Sequence, residues 1–520
     1  MEKRTAIIDI GSNTVRLVIY NYDEQGTLHE LANMKKVARL RSYVDEDGIM
    51  SDEGVAALKE LLLNYKQILA DFGVGQVHAA ATAAVRQAQN REEIVETMLR
   101  ETGIELQILS EEQEAYFGFV AVAYSMATSS AITIDMGGGS TEITWFENKV
   151  LQKTHSFPFG TVSLKQRFIA GDKMTEDERV ALVAYVKEQF ESLPWIVDRH
   201  LPIIGIGGSA RNVAQIHQQR IKYPLSNVHQ YEMKKDEMDE LAEFLWDLSF
   251  EELSQLEGLS IDRADIILPA LDVFRTLMDV VHTSSYQFTK KGLREGIIIN
   301  KILQETPDAY NKYNIFGDSS KKLAISFGRS EAEQQYIDYL VTELYKQTCR
   351  EFGVLRMERE LEFIRGAAPL YNVGEFIEQD AASHHTFYLI ANKAIPGITH
   401  LERVRMALIA SYKNKGHLDQ LLVRYNNWFT KEEIKEIRML GSILKFIFAL
   451  NVSKRRIVKN IELKKYEEHV HITFTTAQKA AAESYAAERQ KKHVERVLRM
   501  PVQLEFIEEG LGQQWRKNNN

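Results

Sequence analysis

Along its first three hundred residues the chain alternates short β-prone apolar runs with helical periods, and three of those runs break into turns of glycine and small polar residues. The clearest stretch runs from Ala131 through Asp135, Gly137, Gly138 and Gly139 to Ile143. Ala131 to Ile134 reads as a strand that ends on the Asp135 carboxylate. The glycines read as a tight turn, and a second strand follows Ser140 and Thr141 with Glu142 just past the turn. Three glycines remove every Cβ from that turn, so backbone N–H groups can approach a bound oxyanion closely. Acids beside such a loop suit phosphate held together with a divalent cation. Taken alone, the stretch also reads as a glycine hairpin with an ordinary surface Asp.

Thr5 to Tyr20 repeats the pattern, with Ser12, Asn13 and Thr14 in the turn. Asp9 lies over Asp135 and Gly11 over Gly137. A repeat at domain-sized separation predicts two related domains facing each other, each giving one loop and one acid to a shared cleft. Leu201 to Arg211 is the third such stretch: a strand, then Gly207 and Gly208, then a helix start with Ser209 as N-cap. A helix N-terminus behind paired glycines is an anion site. The G-x-x-x-x-G-K-[ST] loop and a full G-x-G-x-x-G fingerprint are both missing, which argues against a Rossmann dinucleotide site.

Between these loops, Ser51 to Phe72 has the period of an amphipathic helix carrying Val55, Leu58, Leu61, Leu62, Tyr65 and Ile68 on one side. Val77 to Thr82 is a strand that passes through Ala83 to Arg86 into a helix. Arg86, at a strand-to-helix junction, is placed to donate to phosphate. His78 reads as structural. After the strand Leu106 to Leu109, Ser110 and Gln113 form a capping box. Glu111 and Glu112 complement the helix dipole. Glu114 lies one turn in, where the helix start would keep it ionised as a general base; spacing alone does not choose among these acids. Gly160 and Thr161 form another short turn, and Thr175 to Phe190 a helix. Gly258 to Met278 reads as buried and helical. The basic residues of Lys290 to Arg294 either face the cleft or begin a solvated helix, and the basic run Met34 to Arg41 reads as a solvated face, with a place near an anionic ligand as the alternative.

Past Thr306 to Ser319, read as a linker, residues 320 to 450 are almost wholly helical. Residues 455 to 508 then read as a small α/β appendage, with Lys454 to Arg456 and Lys464 to Lys465 as candidates to line a groove, and the tail from Gly512 as a frayed end. A length of 520 residues requires several cores. The net charge of −9 offers no basic field for nucleic acid, so a polyanionic ligand would need a local basic patch. One cysteine, Cys349, leaves no intramolecular disulfide and suits a reducing compartment. Asp9 interrupts the apolar N-terminal run that a signal peptide would need. The run closest to a membrane span, Ile443 to Val452, contains Lys445. A cytoplasmic protein is expected.

The stretches DIGSNTVRLVIY, ATAAVRQAQN, SEEQEA, DMGGGSTEI, GIGGSARN, LSIDRADIILPAL and GLREG, in that order, resemble the exopolyphosphatase/guanosine pentaphosphate phosphatase family, of the actin, sugar kinase and heat-shock chaperone fold class. The resemblance covers nearly the whole chain. It implies an α/β protein with two RNase H-like domains (1–124 and 125–308), an all-α, degenerate HD-like domain (309–452) and a small α/β C-terminal domain (453–520). It makes Glu114 the general base for the attacking water, although Gln113 and Glu111 depart from the family's neighbouring acid and glycine. It places Asp135 and Glu142, with Asp9, at a Mg²⁺ ion. It gives Ser12, Asn13, Thr14, Arg86, Gly138, Gly139, Ser140, Gly207, Gly208 and Ser209 to phosphoryl oxygens. The implied activity is Mg²⁺-dependent, processive release of orthophosphate from the end of inorganic polyphosphate. The alternatives are hydrolysis of guanosine pentaphosphate to the tetraphosphate, or a polyphosphate- or nucleotide-binding sensor with weak turnover. A monovalent cation such as K⁺ is a further candidate cofactor, and a homodimer the expected assembly. In the HD-like domain Tyr371 and Asn372 stand where the metal-binding His and Asp would be, and Lys413 where many relatives have His. No metal-dependent phosphodiesterase chemistry is therefore expected there; His384 and His385 read as structural, with anion binding the alternative.

Overall fold

The structure, a computed structural model, describes residues 3–171, 173–353, 358–425 and 427–509. The tail expected to fray from Gly512 lies outside them. The chain forms two compact units, Met1–Ile315 and Phe316–Asn520.

The first unit holds two sheets built to one plan. In the first, β1 (Lys3–Ile10), β2 (Thr14–Tyr22), β3 (Leu28–Val37), β4 (Gln76–Ala81) and β5 (Leu106–Ile108) take the order β3-β2-β1-β4-β5. In the second, β6 (Ala131–Met136), β7 (Thr141–Glu147), β8 (Val150–Phe157), β9 (Ile203–Ile206), β10 (Tyr231–Lys234) and β11 (Ser285–Phe288) take the order β8-β7-β6-β9-β11-β10. In each, a three-strand antiparallel meander continues into parallel strands, β4 beside β1 and β9 beside β6. The two acid-bearing turns are superposable in register. Asp9 faces Arg16 and Asp135 faces Glu142. Gly11 N donates to Thr14 O at 3.0 Å, and Gly137 N to Ser140 O at 2.9 Å.

Side-chain alternation and capping explain why these elements form. Ala6, Ile8, Ile10, Val15, Leu17 and Ile19 pack with Leu58, Leu62, Tyr65 and Leu69 of the helix Asp52–Asp71, whose first turn is capped by Ser51 Oγ accepting from Gly54 N. A second core lies between β6, β7 and β9 and the helices Glu176–Glu191 and Ile267–Val281. The helix Glu111–Ala123 opens on the expected capping box of Ser110 and Gln113. It crosses the helix Leu293–Glu305 so tightly that a Cβ on Gly296 would stand 1.8 Å from the Phe117 carbonyl oxygen.

Two expectations are corrected here. Ser209 does not cap a helix. Gly207, at φ +92°, turns the chain straight from β9 into the helix Gly207–Arg220, so Ile206 is the N-cap and Ser209 lies buried in the first turn. The stretch Thr306 to Ser319 is not all linker either: Ile315 and Phe316 are buried, and a helix begins at Ile315.

The second unit is helical up to residue 449 and ends in a three-stranded sheet of β12 (Val458–Lys465), β13 (Val470–Thr476) and β14 (Val502–Glu508), in the order β12-β13-β14. The Gln347 side chain binds the edge of β12 through Ile461 O at 2.6 Å and Leu463 N at 2.7 Å. Arg455, one of the basic residues read as candidates to line a groove, pairs with the fully buried Glu483 at 3.1 Å. Tyr371 fills its site by packing. Its ring lies on Phe448, with centroids 4.6 Å apart, and its hydroxyl donates to Tyr412 O at 3.3 Å. His384 rests edge-on against the buried His417. Among the described residues no helix is long and apolar enough to cross a membrane.

Candidate active site

A cleft of about 180 Å³ in the first unit gathers both acid-bearing turns, the start of the helix Gly207–Arg220 and the segment Lys290–Arg294. Of the residues picked from the sequence, Ser12, Asn13, Thr14, Gly138, Gly139, Ser140, Gly207, Gly208 and Ser209 line it, together with Asp9, Glu114 and Asp135.

The turns are held from behind. Arg41 N donates to Ser12 O, and Ala38 N and Arg39 N both donate to Asn13 O, at 2.9 to 3.1 Å. At the equivalent place in the second half, Thr161 N donates to Gly137 O, and Val162 N and Ser163 N to Gly138 O, at 2.9 to 3.2 Å. In a trans peptide the carbonyl and the following N–H point in opposite directions. Pinning these carbonyls therefore turns the N–H groups of Asn13, Thr14, Gly138 and Gly139 away from the backing segments, free to meet an anion.

The acids share one electrostatic field. Burial, then the charges of Glu114 and Asp9, push the Asp135 carboxyl up to about 7. Burial raises Glu142, with Glu114 and Asp135 adding to it. Burial also raises Asp9, opposed by Arg294, whose Nε lies 3.7 Å from Asp9 Oδ2. Glu114 is raised by burial and held back by Arg86. Glu142, the cross-strand neighbour of Asp135, does not line the cleft; it is buried and its Oε1 accepts from Ser156 Oγ at 3.0 Å. Arg86 does not line the cleft either. Its Nη1 donates to Glu114 Oε2 at 2.8 Å and to Leu109 O at 3.1 Å, which leaves its buried Nε and Nη2 without a hydrogen-bond partner among the described residues.

Among the described residues no three His, Cys, Asp or Glu side chains form a complete metal cage. The donor chemistry nonetheless fits a hard divalent cation. Unlike Asp9 and Glu114, the buried Asp135 and Glu142 carboxylates make no ion pair among the described residues, and a hard cation held by such oxygens fills its remaining positions with water and phosphate oxygens.

Sequence reading offered Lys290 to Arg294 to the cleft as one of two alternatives and missed three further cations. Arg16, Arg211 and Arg263 line the cleft with Lys290, Lys291 and Arg294. Their charges act on one another: burial and the nearby Arg294, Arg16 and Arg263 push Arg211 down to about 10. Arg16 was findable, since it pairs with Asp9 across β1 and β2 and shares its face. Arg263 comes from a single turn of 3₁₀ helix, Ile261–Arg263, and its guanidinium lies where a Cβ on Gly208 would fall. No local pattern announces it.

Two α/β halves of one plan, closing their acid-bearing turns on a single cleft, place the molecule among actin-like two-lobed proteins. More narrowly, the chain belongs to the Ppx/GppA phosphatase family, whose pattern matches residues 18–305, while the pattern for Ppx/GppA phosphatase domain III matches residues 317–492. Exopolyphosphatase 1 of Mycobacterium tuberculosis and that of Mycobacterium bovis are each 26% identical to it over 308 residues, 58% of this chain and 89% of theirs. The crystal structure of the Aquifex aeolicus family member is 27% identical, with a TM-score of 0.53 over 59% of this chain and 99% of that one. An exopolyphosphatase from Cytophaga hutchinsonii, 23% identical, shares the fold with a TM-score of 0.54 over 58% of this chain and 98% of that one.

Proposed function

We propose that this chain is an exopolyphosphatase, a hydrolase that removes the terminal phosphoryl group of inorganic polyphosphate as orthophosphate. The observation that carries the reading is Glu114, a desolvated carboxylate lining the same cleft as both N–H-rich turns and as six arginine and lysine side chains. The turns at Ser12–Thr14 and Gly138–Ser140 would hold the terminal phosphoryl oxygens, and their preorganised N–H groups would favour the charge of the transition state. Glu114 would orient a water for in-line attack on the terminal phosphorus and take its proton; the bond to the bridging oxygen breaks and the shortened chain leaves. Asp9 and Asp135, with Glu142 beside Asp135, would hold Mg²⁺, which when bound neutralises phosphate charge. Arg16, Arg211, Arg263 and Arg294 supply the local positive field that the chain as a whole lacks, and would receive the next phosphates.

The choice between substrates rests on the cleft lining. The described lining residues include Met136, Ile206, Ile266 and Leu293 but no aromatic ring on which a guanine base would stack. Six cationic side chains in one lining suit an all-phosphate chain better than a nucleotide. Phosphate release measured side by side from long polyphosphate, short polyphosphate and guanosine pentaphosphate tests this. The reading requires the highest kcat/KM on polyphosphate; preference for the pentaphosphate would reverse it, and tight binding without turnover would make the protein a sensor.

A further inference from the structure

Gly160, the N-cap of the helix Thr161–Phe168, stands directly behind the triple-glycine turn. A Cβ there would lie 2.5 Å from the Gly137 carbonyl oxygen, 2.6 Å from the Gly138 carbonyl carbon and 2.7 Å from the Gly139 nitrogen. All three are backbone atoms, so no side-chain rotation would relieve the contact. Its φ of −146° is open to any residue, which makes close approach the whole constraint. The surroundings fix Gly160 in turn. Its N–H donates to Ser163 Oγ at 2.8 Å, and Thr141 Oγ1 donates to the preceding carbonyl, Phe159 O, at 2.7 Å. The first N–H groups of the helix, which would ordinarily meet solvent or an anion, are instead spent on Gly137 O and Gly138 O.

We infer that Gly160 is a positioning residue for hydrolysis: the bare N-cap lets this helix seat against the glycine turn, and so sets how far the Gly138 and Gly139 N–H groups reach into the cleft. The inference rests on the phosphohydrolase reading above for its catalytic consequence, but not for its effect on anion binding. In the first half the same task falls to Ala38, Arg39 and Arg41, with Arg39 in the left-handed region at φ 48°. The two turns are thus backed by unlike devices at equivalent places, and only the second depends on a missing side chain.

The test is G160A in the full-length chain. A misplacement of about 1 Å at a reacting group costs roughly 10²-fold in rate. G160A is therefore expected to lower kcat on polyphosphate about that far and to weaken orthophosphate binding by calorimetry, while the acidic limb of the pH–rate profile stays in place because no carboxylate is touched. T161P is the second variant. Proline is well tolerated at the first helical position, and it removes both donors that hold Gly137 O, the Thr161 N–H at 2.9 Å and the Thr161 hydroxyl at 3.3 Å. It is expected to reproduce the weaker orthophosphate binding in a smaller degree. Wild-type orthophosphate affinity in G160A overturns the inference, and so does wild-type affinity in T161P if G160A does not fold. If the wild-type protein releases no phosphate from polyphosphate, the functional reading fails, while the calorimetric comparison still decides the role of Gly160.

Discussion

Glu114 sits in a contest between two influences. Burial favours its protonated form, and the Arg86 guanidinium, 2.8 Å away, favours the ionised form that a general base requires. Removing Arg86 leaves burial unopposed, so the Glu114 pKa rises and a smaller fraction is ionised at any given pH. In R86A the acidic limb of kcat/KM is therefore expected to move to higher pH, read from a pH–rate profile of the free enzyme; a limb that stays fixed would detach Arg86 from Glu114. Asp135 makes a second prediction. Its carboxyl is raised from an ordinary 3.8 to about 7 in the folded chain. Between those values the unfolded chain has lost a proton that the folded one keeps, so this group's contribution to stability falls as pH rises from about 4 to about 7. A divalent cation binds the ionised form. Mg²⁺ is accordingly expected to raise Tm more at pH 8 than at pH 5, and D135N to abolish most of that difference. Equal shifts at both pH values would remove Asp135 from the cation site.

At the scale of elements, the position of Glu114 is decided by a helix crossing. The helix Glu111–Ala123 lies against Leu293–Glu305 at Gly296, the contact with the Phe117 carbonyl leaving no room for a methyl group. G296A is expected to cost about 1–3 kcal/mol in urea unfolding through overpacking, and to lower kcat because the helices must separate and carry Glu114 with them. Unchanged stability would show that the crossing has slack. Element scale is also where reading the sequence succeeds and fails for identifiable reasons. The turns at Asp9–Thr14 and Asp135–Glu142 were legible because a strand ending on an acid and a run of small residues are local signals. Ser209 misled because Gly207, at positive φ, starts the helix two residues early. Arg263 was not singled out because it reaches the cleft from a short 3₁₀ turn far along the chain from both acid-bearing loops. The helix starting at Ile315 was hidden by polar neighbours, while the burial of Ile315 and Phe316 is a tertiary fact.

At the scale of the molecule, the first unit is a two-lobed device in which a repeated strand–turn–strand places acids and N–H groups on both sides of one cleft, while arginines from three later segments supply the charge complement. An acidic chain can thus carry a local positive field suited to a polyanion, so overall charge is a poor guide to its ligand. In the second unit Tyr371, which the resemblance puts where a metal-binding His would stand, is buried against Phe448. The role proposed for Glu114 is to activate water at a phosphoryl group held in this cleft. Its most direct test is orthophosphate release from long-chain polyphosphate with Mg²⁺, wild type against E114Q, with polyphosphate binding measured in parallel. The expected result is steady release by the wild type and a loss of about 10²–10⁴-fold in kcat for E114Q with binding retained; turnover by E114Q at the wild-type rate would contradict the account.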